Sequence, residues 1–344
     1  MMGIKVTTEN TETIVSAEAP LEPELPICDP HHHLWERSAN RYLLEDLVQD
    51  LSCGHNIVST VGIECGYGYR KDGPENLKPV GETEFLNGVA ERAAADAAIA
   101  TDIVAGIVGF ADLTLGDAVA AVLEAHMAAS PNRFRGIRHS TTWDASGALR
   151  SEAPRGLLAD GKFREGLAWL KKLNLSFDAW LYHPQLVELA DLAQAFPDVS
   201  IILNHLGAPL GVGPYAGKRD EVFQAWSRGI AEVARCPNVV VKLGGAGSAR
   251  SGYDWHARKT RASSSELASV LRPYFEWCID KFGADRCMFE SNFPVEKLAN
   301  SYVTVWNAFK RITENYSAAE RAALFHDNAT RLYRIPRYGN NNVS

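Results

Sequence analysis

Long apolar runs, paired cysteines and an excess of basic residues are all missing from this 344-residue sequence. No apolar run approaches the roughly 18 residues that cross a membrane, so no membrane partner is expected. The six cysteines contain no C-x-x-C pair, which speaks against a disulfide framework and for a reduced, cytoplasmic setting. The 42 acidic residues outnumber the 35 basic ones, and the basic residues form no stripe. A nucleic-acid partner is therefore not expected either.

The ends of the chain differ in composition from the middle. The first 26 residues are polar and lack the basic and apolar blocks of a signal peptide. We expect residues 1–26 to be a polar leader that orders, if at all, against the domain surface. Residues 27–336 are predicted to form one domain, because a barrel of about 250 residues with insertions fits this length. Residues 337–344 are predicted to be a flexible tail.

Short apolar, β-branched runs alternate with stretches of helical period along the whole domain. This alternation predicts parallel strands joined by crossover helices, and eight such units close as a (β/α)8 TIM barrel. The alternative, a doubly wound open sheet, would want a glycine-rich phosphate turn after the first strand, which here ends in histidines. The predicted strands are Ile27–His33, Ile57–Cys65, Ile103–Phe110, Phe134–Ser140, Leu175–His183, Val199–His205, Val239–Gly244 and Arg286–Asn292.

The first strand ends in two histidines separated by one residue. Side chains at i and i+2 share a face of a strand, so His31 and His33 point the same way, with Asp29 below them. His32 points to the opposite face. Two imidazoles on one face are typical of half a metal site, which needs further ligands from elsewhere in the chain.

Polar side chains also stand at the ends of four other predicted strands. Active sites of such barrels lie at the carboxyl ends of the strands, so these residues are candidates for chemistry. The connections 66–82 and 245–265 follow strands two and seven and are candidate substrate loops, or else ordinary surface insertions. The strand-end candidates are Arg138, His139, His183, His205, Glu290 and Asn292.

These motifs together resemble the amidohydrolase superfamily over residues 27–335. More narrowly, the chain is similar to the amidohydrolase-related TIM-barrel metal-dependent hydrolases that include dicarboxylate and sugar lactonases. The resemblance implies that His31, His33 and His183 hold one divalent metal ion, zinc first and manganese second, with metal-independent catalysis left open. The motifs are Asp-x-His-x-His-Leu-Trp at 29–35, Gly-Ile-Arg at 136–138, Leu-Asn-His-Leu-Gly at 203–207, Met-Phe-Glu-Ser-Asn-Phe-Pro at 288–294 and Asn-Ala at 328–329.

The last strand departs from the family pattern. The resemblance implies a carboxylate that ligates metal and takes a proton from water, but Asn292 stands where the family usually has Asp. An amide is a poor ligand and no base at neutral pH. Glu290 has the same strand parity and is the alternative base, unless it forms an ion pair with a neighbour such as Lys242. His205 is expected to be a supporting or oxyanion-stabilising histidine and a further acceptor of the proton.

The resulting hypothesis is a hydrolase that opens a lactone or cleaves an ester of a small carboxylated compound. Arg138 is expected to bind the anionic group, or else to form a structural ion pair inside the barrel. His139, Trp35 and Tyr67 complete the predicted substrate-binding set. A non-oxidative decarboxylase of a carboxylated aromatic and a catalytically silent ligand-binding barrel are the alternatives. A homodimer is left open.

Overall fold

The computed structural model describes residues 18–38 and 40–336 of the chain. Most of the predicted leader, residues 1–17, and the predicted tail, residues 337–344, lie outside the described residues. Within them, none of the helices combines the length and the apolar character that crossing a membrane requires. All six cysteines are free.

Eight parallel strands follow one another around a barrel in chain order. The barrel closes where the main chain of the first strand meets the turn after the last. The amide of His33 donates to the carbonyl of Phe293 at 2.8 Å, and that of Asn292 donates to His31 at 2.9 Å. The predicted (β/α)8 barrel is thereby confirmed. The strands are β1 (Ile27–His32), β2 (Ile57–Ile63), β3 (Asp102–Gly109), β4 (Phe134–Arg138), β5 (Ser176–Ala179), β6 (Ile201–Leu203), β7 (Val239–Leu243) and β8 (Cys287–Phe289).

Helices cover the outside of the barrel, and a small antiparallel hairpin, Trp35–Arg37 with Asn40–Tyr42, follows β1. Helix starts are set by side-chain caps, as where Asp160 accepts from the amide of Phe163. Gly116, with a φ of +59°, lies in a 3-10 turn that directly precedes the third helix. The helices are α1 (Leu44–Leu51), α2 (Val80–Ala95), α3 (Val119–Ala129), α4 (Gly161–Lys172), α5 (Leu186–Ala195), α6 (Arg219–Ala234), α7 (Ser264–Phe282), α8 (Tyr302–Ile312), α9 (Ala318–Ala322) and α10 (Asn328–Leu332).

The barrel interior is apolar at one end and polar at the other. Cys28, Val61, Ile202, Val240 and Met288 pack together inside the barrel as a hydrophobic cluster of their own. All but Val61 are the second residue of their strands, so the cluster fills the amino-terminal end. Charged and polar side chains take the later inward positions. The polar end of the interior is therefore the carboxyl-terminal end, where active sites of such barrels lie.

The described part of the leader lies against α8. The backbone amide of Leu21 donates to the side chain of Asn307 at 2.8 Å. The ammonium of Lys310 donates to the carbonyls of Leu21 and Glu22 at 2.7 and 2.8 Å. These bonds fasten residues 18–22 to the barrel wall next to the first and last strands.

Candidate active site

A cleft of about 820 Å³ opens at the carboxyl-terminal end of the barrel. Its lining includes His33, His205, Arg138 and Asn292, which come from four different strands or strand exits. Sequence separations between these residues reach more than two hundred positions, so the barrel topology alone brings them together. The cleft is where we place the candidate active site.

His31 and His33 face each other across the mouth of β1. Their Nε2 atoms are 3.2 Å apart. Nδ1 of His33 lies 2.9 Å from the carbonyl of Ile63 and must donate to it, which leaves Nε2 of His33 with a lone pair. The parity prediction for this pair is therefore realised. Asp29 does not lie below them, because β1 is irregular between Asp29 and His32. The carboxylate of Asp29 instead accepts from Tyr302 of α8.

His205 is held by the buried carboxylate of Glu290. Oε1 of Glu290 lies 2.6 Å from Nδ1 of His205 and also accepts from the His205 amide at 3.1 Å. Glu290 is fully buried and does not line the cleft, whereas His205 does. When Glu290 is ionised, His205 must carry its proton on Nδ1, so its Nε2 has a free lone pair. Glu290 therefore acts on the cleft through His205.

The exit of β6 is strained in order to place His205. His205, Leu206, Gly207 and Ala208 have φ values of +52°, +57°, +67° and +42°. Left-handed backbone costs roughly 1–2 kcal/mol for each non-glycine residue. Trp226 supports the run by donating from Nε1 to the carbonyl of Leu206 at 2.7 Å. Backbone strain of this kind clusters at functional sites.

A glycine lets the β7 loop close over the same histidine. A Cβ atom on Gly245 would lie 2.4 Å from Nδ1 of His205, which is closer than any side chain tolerates. Gly245 also has a φ of +68°. The imidazole of His205 is therefore clamped between the Glu290 carboxylate and bare backbone.

Lys242 and Asp178 form a buried ion pair beneath the two β1 histidines. Nζ of Lys242 lies 2.8 Å from Oδ2 of Asp178 and donates to the carbonyl of Pro30 at 2.9 Å. The same ammonium lies 3.3 Å from Nδ1 of His31. The anticipated ion pair between Glu290 and Lys242 is thus not formed. Lys242 pairs with Asp178, and Glu290 pairs with His31 and His205.

Burial and neighbouring cations set the protonation of these groups. Burial, followed by the nearby charge of Lys242, holds the pKa of His31 well below its ordinary value. Burial and then Arg250 lower the pKa of His205 in the same direction. Burial raises the pKa of Glu290 to about 8, against the opposing charge of Lys242. Both histidines are consequently neutral at neutral pH.

Arg138 lies between Glu64 and the β1 histidines. Its Nε is 2.6 Å from Oε1 of Glu64, and its Nη2 donates to the Glu64 carbonyl at 2.5 Å. The remaining Nη1 lies 3.3 Å from Nε2 of His31. Two edges of the guanidinium are therefore occupied, as the ion-pair alternative anticipated. The third edge faces the centre of the site.

Asn292 brings an unsatisfied amide to the cleft. The residue is 1% exposed, and neither its Oδ1 nor its Nδ2 makes a well-formed hydrogen bond among the residues described, although the buried carboxylate of Glu296 lies beside it. Its φ of +54° is one that Asn tolerates better than most residues. Buried polar groups rarely stay unpaired, so Asn292 is suited to bind a molecule that enters the cleft.

His183 is not brought to the other histidines. β5 ends at Ala179, so the inward positions belong to Asp178 and Trp180, and His183 lies in a short 3-10 turn beyond the strand. Its Nδ1 accepts from the amide of Leu210 at 3.3 Å, and its ring packs on Tyr215. The predicted trio of His31, His33 and His183 is not assembled.

Three of the four predicted substrate-binding residues line the cleft, and one does not. His139 and Trp35 line the cleft together with Arg138. Tyr67 does not line it and packs edge-on against Phe85, with ring centres 5.0 Å apart.

Sequence reasoning missed Glu64, Tyr69, Trp180 and Arg250, all of which line the cleft. Strand parity counted from Asp178 would have indicated Trp180. The signal for Arg250 was only its place in the loop after the seventh strand.

The residues at the mouth of β1 fit a divalent ion. Two ligands held tetrahedrally at about 2.0–2.1 Å lie about 3.3 Å apart, close to the observed Nε2 separation. Oε2 of buried Glu290 has no hydrogen-bond partner among the described residues, yet lies 2.8 Å from Nδ1 of His31. A proton on that Nδ1 would satisfy Oε2 and free Nε2 for a metal. Unpaired Oδ1 of Asn292 is a further oxygen donor.

A second group of metal-ligating side chains overlaps the first. Ligand atoms of His31, His205 and Glu290 lie within 4.8 Å of one another. The distances of 2.6 and 2.8 Å from the Glu290 oxygens to the two histidines are hydrogen-bond lengths, shorter than two ligands of one ion normally keep. His31 and His33 are therefore the better pair for an ion.

Comparisons with known proteins find a matching family model and several relatives. The family model described as Amidohydrolase matches residues 28–335. Uncharacterized protein y4mH of Sinorhizobium fredii is 36% identical over 334 residues, which cover 91% of this chain and 99% of that protein. The L-fucono-1,5-lactonase of Burkholderia multivorans is 30% identical over 235 residues, which cover 68% of this chain and 72% of that protein.

Among solved structures, a similar fold occurs in a protein with a bound metal ion. An amidohydrolase from Burkholderia multivorans with bound zinc is 26% identical, with a TM-score of 0.68. The similarity covers 90% of this chain and 99% of that one. Zinc is thus bound by a protein similar to this chain in sequence and fold.

Proposed function

Since this chain belongs to the amidohydrolase family, we propose that it is a hydrolase that opens a lactone of a small polar acid by attack of water. The observation that carries the proposal is the pairing of His205 with buried Glu290 at 2.6 Å, which leaves the second ring nitrogen of His205 free. The relatives named L-fucono-1,5-lactonase and L-rhamnono-gamma-lactonase support lactones over other esters.

His205 is the proposed general base. Its Nε2 takes a proton from a water molecule as the oxygen of that water bonds to the lactone carbonyl carbon. The ionised carboxylate of Glu290 stabilises the imidazolium that forms, as a buried carboxylate does in a catalytic triad. The imidazolium then returns the proton to the ring oxygen when the carbon–oxygen bond breaks. The product is a hydroxy acid, and His205 is neutral again.

Arg138 and Asn292 are the proposed donors to the developing oxyanion. Nη1 of Arg138 contacts only Nε2 of His31, at 3.3 Å, and the amide of Asn292 makes no well-formed hydrogen bond among the described residues. Preorganised donors in a site that excludes water are usually the largest single contribution to such reactions. Because Glu64 fixes the other two edges of Arg138, the donor cannot swing away.

His31 and His33 would hold a divalent ion, with zinc as the first choice and manganese as the second. When bound, such an ion polarises a carbonyl and lowers the pKa of water. The chain's own residues supply the base and the oxyanion donors in either case. His33 keeps its Nε2 available through its bond to Ile63.

The chemistry of this site suits lactones better than amides. A lactone leaves as an alkoxide-type oxygen and needs only the one proton that His205 has collected. An amine needs stronger help, and Asn292 offers no carboxylate at the strand-eight position. Trp35, Trp180 and Tyr69 add aromatic faces beside polar groups, which suits a polyhydroxylated ring.

A panel of sugar lactones tests the proposal through proton release at constant pH. We expect saturable turnover of at least one lactone, and no release of CO₂ from carboxylated aromatics. CO₂ release without lactone opening would replace the proposal with a non-oxidative decarboxylase. Binding of lactones without any turnover would indicate a catalytically silent barrel.

A further inference from the structure

Among the described residues, Arg250 is the cleft arginine whose guanidinium has neither an ion pair nor a hydrogen bond. It lines the cleft from the loop after β7. Arg138 pairs with Glu64, and Arg150 lies 3.5 Å from Glu152. Arg37 donates to the carbonyl of Cys65 at 2.8 Å. The carboxylates of Glu296 and Glu152 attract Arg250 only from beyond ion-pair distance.

The guanidinium of Arg250 is held in place by stacking, although its N–H groups have no hydrogen-bond acceptor among the described residues. Its central carbon lies 4.5 Å from the ring centre of Trp180, so the planar group stacks on the indole face. Stacking leaves the N–H groups at the edge of the guanidinium without acceptors. These N–H groups form a planar fork that can donate two parallel hydrogen bonds to one carboxylate. An Arg stays charged in proteins, so a partly buried one without an anion is costly unless a ligand supplies it.

The backbone around Arg250 is fixed. Its carbonyl accepts from the amide of Gly211 at 2.8 Å, which ties the β7 loop to the β6 loop. The hydroxyl of Ser251 donates to the carbonyl of Ser248 at 2.8 Å across the same turn. A rigid platform of this kind lowers the entropy cost of ordering the arginine for a ligand.

Arg250 is close enough to the reaction centre to reach one substrate molecule. It lowers the pKa of His205 more than any other charge does. Arg250 and His205 also line the same cleft, with the ring of Trp180 packed against His205 at 4.9 Å on one side and Arg250 on the other. A small lactone over His205 therefore has its far end near Arg250.

We propose that Arg250, stacked on Trp180, binds a carboxylate that the substrate carries in addition to its lactone group. The substrate class is then a sugar-type lactone with a free acid at the end remote from the reacting carbonyl. This assignment rests on the proposed lactone hydrolysis for its reaction, but the anion site itself follows from the cleft alone.

Matched pairs of sugar lactones test the assignment. The two members share ring and stereochemistry, and the terminal carbon is a carboxylate in one and a hydroxymethyl group in the other. We expect the wild-type protein to favour the carboxylate member in kcat/KM. Arg250→Met should raise KM for that member about 30-fold or more and leave the neutral member nearly unchanged. Arg250→Lys should restore only part of the preference, because the ammonium lacks the fork.

Arg219→Met is the matched control. Arg219 also stacks on an aromatic ring, with 3.8 Å from its guanidinium carbon to the Tyr253 centre, but it does not line the cleft. It should leave both KM values unchanged. Equal preference of the wild type for both members, or an equal loss of kcat on both with Arg250→Met, would overturn the assignment.

Binding of inert analogues separates this assignment from the proposed reaction. The corresponding lactams resist hydrolysis, and calorimetry should show tighter binding of the carboxylated lactam to the wild type than to Arg250→Met. That result with no lactone turnover would contradict the proposed function and leave the anion site standing. Identical lactam affinities in the two proteins would refute the anion site whatever the turnover.

Discussion

Glu290 is a buried carboxylate that acts through a histidine instead of contacting the substrate. It is fully buried, so it reaches the cleft only through the imidazole of His205. We expect Glu290→Gln to lower kcat on the order of 10²–10⁴-fold with little change in KM, because the neutral amide does not stabilise the positive charge of the protonated ring. Steady-state lactone kinetics give both constants. Glu276→Gln, on the exposed face of α7, is the control and should be silent.

The pH dependence should follow Glu290. Burial raises its pKa to about 8, and only the ionised form accepts the Nδ1 proton of His205. Activity should therefore rise as the pH increases through about 8 and fall below it. The pKa of His205 is depressed, so protonation of its ring affects the rate only at lower pH. A plot of kcat/KM against pH should show this rise in the wild type and lack it in Glu290→Gln. A rise that persists in Glu290→Gln would show that another group titrates.

Asn292 determines how well the site retains a metal. Its Oδ1 is a neutral donor with cationic Arg138 and Lys242 nearby, so an ion held by His31 and His33 gains little charge compensation. Asn292→Asp should raise the zinc content of purified protein, and His31→Ala should lower it. Elemental analysis measures both, with exposed Asn132→Asp as the control. A zinc content that neither Asn292→Asp nor His31→Ala changes would place the ion elsewhere.

At the scale of elements, the strained turn after β6 has the clearest signature. Ala208 has a φ of +42°, where Gly suffers no steric penalty. Ala208→Gly should therefore leave the free energy of unfolding unchanged or raise it by up to about 1 kcal/mol. Ala190→Gly, in the middle of α5, should lower it by about 1 kcal/mol. Urea unfolding compares the two, and equal losses would show that the turn is not strained.

Strand existence was predictable from the sequence, but strand ends were not. The alternating apolar runs gave all eight strands because buried parallel strands read as short β-branched stretches. β5 nevertheless stops at Ala179, four residues before the predicted end at His183. Beyond a strand the period-two rule no longer holds, so a histidine there loses its predicted direction. His31 lies in β1, and His33 follows its last residue but is still held at the barrel closure by its amide bond to Phe293, so both keep the predicted direction.

At the scale of the whole molecule, the cleft is assembled from residues that no local pattern connects. Glu64 and Arg138 are 74 positions apart, and His205 and Glu290 are 85 apart. Sequence alone could name most of these residues as strand-end candidates, but not say which ones pair. The anionic chain of net charge −7 carries four arginines and two glutamates at its cleft, an arrangement invisible in composition. The homodimer and the cytoplasmic setting stay predictions.

The most direct test is to follow opening of L-fucono-1,5-lactone and related sugar lactones by the wild type and by His205→Asn under identical conditions. We expect saturable turnover by the wild type, with kcat/KM of about 10⁴ M⁻¹ s⁻¹ or more on the preferred lactone. His205→Asn should lose on the order of 10²–10⁴-fold in turnover, because its amide keeps the shape but cannot take the proton. Undiminished turnover by His205→Asn would contradict the proposed role of His205 as the base.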